Sequence, residues 1–253
     1  VSKPLAIDLF CGLGGWTEGL LAEGYYVVGF DITQHVYGEM RYPGQLVIQD
    51  VLTLHGSQFK DAALIVASPP CQGYSYRAMP WKRAKALPPP DNSLFEACFR
   101  IQREACEAAG RHIPMVVENV RGAQKWVGRA RWNFGSFYLW GDVPALMPMT
   151  FNAIKVPSFW FDGSGKSFQS ASVRRTDPGK GARFTSRDCG IEAGIKCGGD
   201  WFNSSQPSIS RMTSSKSPAR KMASAMIAKI PLPLSQHIAR TFAGHRVQSS
   251  DRP

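Results

Sequence analysis

No run of about 18 uninterrupted apolar residues occurs in the 253-residue chain, so no membrane-spanning helix is expected. A basic-then-apolar leader is also missing from its start, and the expectation is a soluble, cytoplasmic protein. The six cysteines, Cys11, Cys71, Cys98, Cys106, Cys189 and Cys197, include no Cys-x-x-Cys pair and stand in apolar contexts. That pattern argues against a zinc centre and against a disulfide framework, so reduced thiols and no metal are expected. No Gly-Lys-Ser/Thr follows the glycines of "CGLGG" (11–15), so that loop is not a P-loop, and no internal repeat is evident. Acidic residues are scarce, 19 against 30 lysines and arginines, giving a net charge of +11 and a pI near 9.6. Such a surplus suits a polyanion, because each neutralised phosphate releases counterions. Charge alone does not decide the partner.

What the chain has in quantity is short apolar runs at regular intervals. "PLAIDLF" (4–10), "YYVVGFD" (25–31), "LVIQD" (46–50), "ALIVASPP" (63–70), "IPMVVENV" (113–120) and "SFYLWG" (136–141) are separated by longer segments, two of them helical in pattern. Continuous rather than alternating apolar runs mark strands buried on both faces, as in a mostly parallel sheet with helices on both sides. "WTEGLLAEG" and "SLFEACFRIQREACEAAG" (93–110) are helical in pattern, the latter with a glycine stop. The expected organisation is an α/β, Rossmann-like catalytic and cofactor-binding domain over 1–141 and a small irregular lobe rich in Gly, Ser, Pro and Arg over 142–213. A helical segment over 214–244, interrupted at Pro231 and Pro233, and a tail over 245–253 follow.

Ligands of open α/β sheets bind at the carboxyl ends of the strands, and several polar or reactive residues fall there. Gly12, Gly14 and Gly15 follow the first strand, where a loop must turn tightly and admit a ligand to its backbone. Thr17 stands where a dinucleotide fingerprint needs its third glycine, which favours a different nucleotide-like cofactor. Asp31 ends the second strand, suited to ribose hydroxyls, and Asp50 ends the third, suited to an adenine amino group. Cys71 follows the fourth strand behind Pro69 and Pro70, whose fixed φ aims the thiol in one direction. Glu118 and Asn119 end the fifth. Each alone reads as a strand-end cap; in order on one rim they read as a site.

"DLFCGLGG", "PPCQ" with a following serine, and "ENV" resemble, in order and spacing, the cytosine-5 DNA methyltransferases, over roughly residues 5–141 and more loosely 214–244. The resemblance implies S-adenosylmethionine as cofactor, held by Asp8, Phe10, Cys11, Gly12, Gly14, Gly15, Asp31, Ile32, Asp50, Val51 and Pro70. It implies Cys71 as the nucleophile, with Gln72 beside it, Glu118 holding the base, and Asn119 fixing the loop near Cys71. It further implies double-stranded DNA as substrate with the target cytosine flipped out, because a stacked base cannot reach a protein thiol.

The basic segment 72–93, with Ser75, Arg77, Lys82, Arg83 and Lys85, is similar to the family's DNA-closing loop. "GRARWNFGSFYLWG" resembles its Gln-x-Arg-x-Arg motif, with Val127 in the glutamine position. Arg131 would contact the base or the cysteine region, and Arg129 a phosphate or carboxylate. Arg174, Arg175, Arg183 and Arg187, interleaved with aromatics in the short lobe, would contact DNA. Where the family offers Gly-Asn-Ser to the cofactor, this chain reads "SSKSPARKMA", with Ser215 and Ser217 as substitutes. A monomer is expected, with a cognate restriction endonuclease as a candidate partner. The alternatives are an RNA cytosine-5 methyltransferase, disfavoured by the missing Cys-Phe-Thr signature, and a catalytically inactive DNA-binding relative, disfavoured by the intact Cys71 and Glu118. A nicotinamide dehydrogenase fails on the absent third glycine.

Overall fold

The computed structural model describes residues 3–75, 86, 88–147, 221, 225 and 228–243. By contacts the chain divides into Val1–Met149 with Ile230–Pro253, and Thr150–Lys229. Nearly all of the second unit lies outside the described residues.

The first unit is built on a seven-stranded sheet in the order β3-β2-β1-β4-β5-β7-β6. Its strands are β1 (Leu5–Leu9), β2 (Tyr26–Asp31), β3 (Gln45–Ile48), β4 (Leu64–Ala67), β5 (Met115–Asn119), β6 (Trp132–Phe134) and β7 (Phe137–Gly141). Helix α1 (Gly15–Ala22) joins β1 to β2, α2 (Ser93–Ala109) precedes β5, a single turn α3 (Gln124–Val127) lies between β5 and β6, and α4 (Leu232–Phe242) closes the unit. The first five strands are parallel, and β7 runs antiparallel to both β5 and β6. This is the mostly parallel Rossmann-like arrangement expected of the apolar runs. The one strand not anticipated, β6, is only three residues long and includes the exposed Trp132 and Asn133, so it carries no apolar signal.

Both faces of the sheet are covered, which is why β4 and β5 are buried at every position. Alternation sends Ile7, Leu9, Ile65, Ala67, Met115 and Val117 into one core with α2 residues Phe95, Cys98 and Ile101. Ala6, Leu64, Val66 and Val116 enter the other, with Trp16 and Leu20 of α1 and Leu234, Ile238 and Phe242 of α4. Helix α4 lies very close to α1: a Cβ on Gly15 would strike the Ile230 backbone, and one on Gly19 would come within 2.6 Å of the Gln236 nitrogen. The Tyr25 hydroxyl donates to the Ala239 carbonyl at 3.0 Å, and Arg240 pairs with Glu23 at 2.8 Å. Pro231 and Pro233, read in the sequence as an interruption, stand at the start of α4. A proline at the first turn costs no hydrogen bond there.

Candidate active site

The strand order reverses between β1 and β4, and the carboxyl ends of β1 to β5 form one rim around that switch point. After β1 the chain passes through three left-handed residues, Phe10 (φ 58°), Gly12 (φ 51°) and Gly14 (φ 76°), before α1 begins. Only glycine takes this conformation without cost, so Phe10 holds strain of the kind often kept at ligand sites. The loop is pinned by the Cys11 amide to the Phe30 carbonyl at 3.1 Å and the Gly14 amide to the Cys11 carbonyl at 2.7 Å. The Gly12 amide donates to Asp31 Oδ2 at 2.9 Å.

Asp31 also accepts from the Thr33 amide at 3.2 Å and faces His35 Nε2 at 3.6 Å. Burial by itself would raise its pKa. The bonds from His35, Gly12 and Thr33 outweigh burial and hold the carboxyl below its ordinary range. Asp31 raises the pKa of His35 in turn, chiefly through the hydrogen bond between them and against partial burial. At the next strand end Asp50 accepts from the Leu52 amide at 2.9 Å and caps a short turn.

Under the glycine loop lies a polar chain that sequence reasoning missed. Thr17 Oγ1 donates to Asp8 Oδ2 at 2.6 Å and meets the Tyr42 hydroxyl at 2.6 Å. Asp8 is 1% exposed, and its Oδ1 has no hydrogen-bond partner among the described residues. Burial is the main force lifting its pKa to about 7, with the Thr17 bond opposing and the Asp31 charge adding. Burial likewise pushes the Cys11 thiol and the Tyr42 phenol up. Thr17 was visible in the sequence only as a non-glycine; Tyr42, in an irregular connection, gave no signal.

The fourth and fifth strand ends make the second half of the rim. Ser68 Oγ accepts from Trp16 Nε1 at 3.0 Å, tying the exit of β4 to the first turn of α1. Pro69 is buried and Pro70 exposed. Cys71, of intermediate exposure, heads a single 3₁₀ turn, Gln72–Tyr74, closed by the Tyr74 amide on the Cys71 carbonyl at 3.0 Å. Two braces flank it. Asn119 Nδ2 donates to the Pro69 carbonyl at 3.0 Å while its Oδ1 accepts from the Val120 amide at 2.8 Å. The buried Tyr74 hydroxyl donates to Asn92 Oδ1 at 2.9 Å. Glu118, 8% exposed, precedes Asn119 on β5.

The structure therefore gathers Cys71, Gln72, Glu118, Asn119, Asp31, Ile32, Asp50 and the glycine loop on one edge. Asp8, Cys11 and Val51 are buried at the ends of β1 and β3. Arg129 and Arg131 are exposed just before β6. Arg77, Lys82, Arg83, Lys85, Arg174, Arg175, Arg183, Arg187, Ser215 and Ser217 lie outside the described residues. Among the described residues no cluster of metal-ligating side chains occurs, and no helix is long and apolar enough to cross a membrane.

Residues 5–126 match the family described as C-5 cytosine-specific DNA methylase. These residues carry a domain of that methylase family. The match covers the glycine loop, Asp31, Asp50, Cys71 and Glu118, and a domain of this family implies S-adenosylmethionine as methyl donor. Among solved structures it is similar to an E. coli prophage-encoded DNA modification methyltransferase, with 25% identity over 49% of this chain and 34% of that one and a TM-score of 0.35. It is also similar to Spodoptera frugiperda DNMT2, at 18% identity over 49% and 37% of the two chains with a TM-score of 0.33. Against S. pombe Dnmt2 the identity is 12%, over 97% and 100%, with a TM-score of 0.46. The chain spans about a third of the length of the prophage protein. No curated protein matches it.

The rim fits the implied cofactor. Nothing stands within 4 Å of where a Gly12 Cβ would lie, so a ligand can approach the backbone there. Exposed Ile32 and Leu52 follow β2 and β3, apolar neighbours for a purine, beside an ionised Asp31 able to accept from ribose hydroxyls.

Proposed function

We propose that this protein is a DNA (cytosine-5)-methyltransferase acting on a flipped cytosine, with Cys71 as nucleophile. The observation that carries the reading is the Asn119 brace. One side chain fixes the carbonyl two residues before a partly exposed cysteine to the strand that bears Glu118. A thiol held in one place on the same sheet edge as a carboxyl group suits attack on a ring that is a poor nucleophile until carbon 6 is substituted.

In this reading Cys71 sulfur, as thiolate, bonds to carbon 6, and the displaced π-electron pair makes carbon 5 nucleophilic. Asp31, Ile32, Asp50 and the Gly12–Gly15 loop would hold S-adenosylmethionine, whose sulfonium methyl would go to carbon 5 as the S–CH3 bond breaks, leaving S-adenosylhomocysteine. A base then removes the carbon 5 proton, the double bond re-forms, and Cys71 leaves as thiolate. Glu118 holds the cytosine through its ring nitrogen and amino group, and a protonated carboxyl there offsets charge building on the ring. Gln72 and Arg131 flank the reacting base. The lobe over 142–213, with Arg174, Arg175, Arg183 and Arg187, reads the DNA sequence in the major groove and contacts phosphates. A monomer working in the cytoplasm, alone or with a cognate endonuclease, completes the reading.

The test is transfer of labelled methyl to duplex DNA and, separately, to total RNA, followed by nucleoside mass analysis. The expected result is 5-methylcytosine in DNA, lost in Cys71→Ala while cofactor affinity is kept. Label appearing only in RNA would move the substrate class, and turnover retained by Cys71→Ala would overturn the mechanism.

A further inference from the structure

Between Glu118 and Asp142 the chain has no acidic residue, yet it carries Arg121, Lys125, Arg129 and Arg131. All four are exposed, and none forms an ion pair among the described residues. Three other cations of the unit are engaged: Arg100 by Glu104, Arg240 by Glu23, and Arg111 by the carbonyls of Lys60 and Ala62.

The four cations sit on the connection between the parallel strands β5 and β6. A crossover of this kind usually contains a full helix; here a single turn does the work. The segment is braced at several points. Gln124 Oε1 accepts from the Ala130 amide at 3.2 Å, folding the arginine pair back against α3. Trp140 Nε1 donates to the Gly128 carbonyl at 2.9 Å, and Arg131 pairs through its amide with the Leu139 carbonyl at 2.8 Å. Lys125 Nζ rests 4.5 Å from the Trp126 ring centroid. Four unpaired cations on a fixed backbone present a charge array that costs little to order.

The array borders the thiol turn. Arg121 and Gly122 follow Asn119 after the single residue Val120, and a Cβ on Gly122 would collide with the Tyr74 carbonyl, three residues after Cys71. The register Glu118↔Leu139↔Trp132 puts the half-exposed indole of Trp132 on the sheet face of Glu118. Two strand spacings separate them, about 10 Å.

We propose that the β5–β6 connection is a phosphate track, on which Arg121 and Lys125 extend the Arg129–Arg131 pair and neutralise backbone phosphates of the duplex flanking the target base. The inference rests on the DNA reading above. A row of cations with an exposed indole fits a polyphosphate that also carries aromatic bases, and phosphate contacts of this kind set position without reading sequence.

The test is duplex-DNA affinity across a salt titration for wild type, Arg121→Gln/Lys125→Gln and the charge-keeping Arg121→Lys. Loss of two phosphate contacts should reduce the slope of log affinity against log salt by about 1.8. Wild type should then lose about tenfold more affinity than the double variant between 50 and 200 mM salt. Arg121→Lys should keep the wild-type slope, and cofactor affinity should be the same in all three. A double variant with an unchanged slope, in a protein whose wild type methylates DNA, overturns the track and leaves the DNA reading standing. Wild type that methylates RNA alone overturns the DNA reading, and the duplex placement of the track falls with it.

Discussion

The two halves of the rim are made rigid by opposite means. After β1 the chain uses left-handed glycines, and what holds them lies below: Tyr42 and Pro43 press on Gly14, while Thr17, Asp8 and Tyr42 form a polar chain in the interior. After β4 the chain uses prolines, and what holds them comes from the side, through Asn119 on the Pro69 carbonyl and Tyr74 on Asn92. A backbone loop left open above suits a ligand that must approach main-chain atoms. A stiffened turn tied laterally suits one side chain aimed at a reacting atom. Substitutions in the first half should therefore act on folding and cofactor affinity, and those in the second on turnover.

The largest expected effect comes from Gly14→Ala. Its φ of 76° strains any L side chain, and the added carbon would stand 2.5 Å from Pro43 Cδ and 3.1 Å from Tyr42 Cδ2. Strain of about 1–2 kcal/mol and overpacking of about 1–3 kcal/mol combine to a loss of about 3 kcal/mol in urea unfolding. Gly12→Ala meets the same kind of strain with open space around it. It should lose about 1–2 kcal/mol of stability while weakening cofactor binding, measured by calorimetry. Equal stability losses in the two variants would remove the distinction between a loop wedged from below and one open above.

Next comes the pH dependence of Asp8. Its folded pKa, lifted to about 7 mainly by burial, lies above an unfolded value of about 3.9. A raised acid gives stability that is complete below the unfolded pKa and is lost as pH rises toward the folded one. The fall between pH 5 and pH 8 is about 2.6 kcal/mol by linkage. Urea unfolding at the two pH values should show that fall in wild type and a much flatter profile in Asp8→Asn. An identical slope in the variant would place the titration elsewhere.

The two halves were also unequally legible in the sequence. The residues that bear on chemistry could be read because each needs an identity that stands out at a strand end: glycines after β1, Asp31 after β2, Pro-Pro-Cys after β4. The strands β1, β2, β4, β5 and β7 showed as apolar runs because burial on both faces requires them, and the edge strand β3, with no fully buried residue, showed by its Leu-Val-Ile run alone. What supports the site was mostly hidden. Tyr42 reaches Thr17 from an irregular connection, Trp16 reaches Ser68 across 52 positions, and Asn92 takes its bond from Tyr74 across 18. Such pairs are set by the sheet's order, which no local pattern carries. The turn between β5 and β6 escaped for a different reason: too short to show a period, it is visible only as cations without acids.

The smallest expected effect on stability, and the most informative on turnover, is at Asn119. The side chain makes two bonds, and the variants separate them. Asn119→Ala removes both, leaving the Pro69 carbonyl and the Val120 amide without these partners, a stability loss of about 1–2 kcal/mol. Asn119→Asp keeps an acceptor for the Val120 amide and sets a carboxylate oxygen against the Pro69 carbonyl, so it breaks the lateral brace alone. If that brace aims the thiol, Asn119→Asp should lose about tenfold or more in kcat, because about 1.4 kcal/mol of positioning is a factor of ten. Cofactor affinity should be unchanged. Peptide-resolved alkylation of Cys71 should speed up in the same variant, since a loosened turn exposes its sulfur more often. Wild-type turnover and wild-type alkylation in Asn119→Asp would mean that Pro69 and Pro70 hold the cysteine unaided. The turn after β4 would then be as self-contained as the glycine loop after β1, and the contrast between the two halves would be lost.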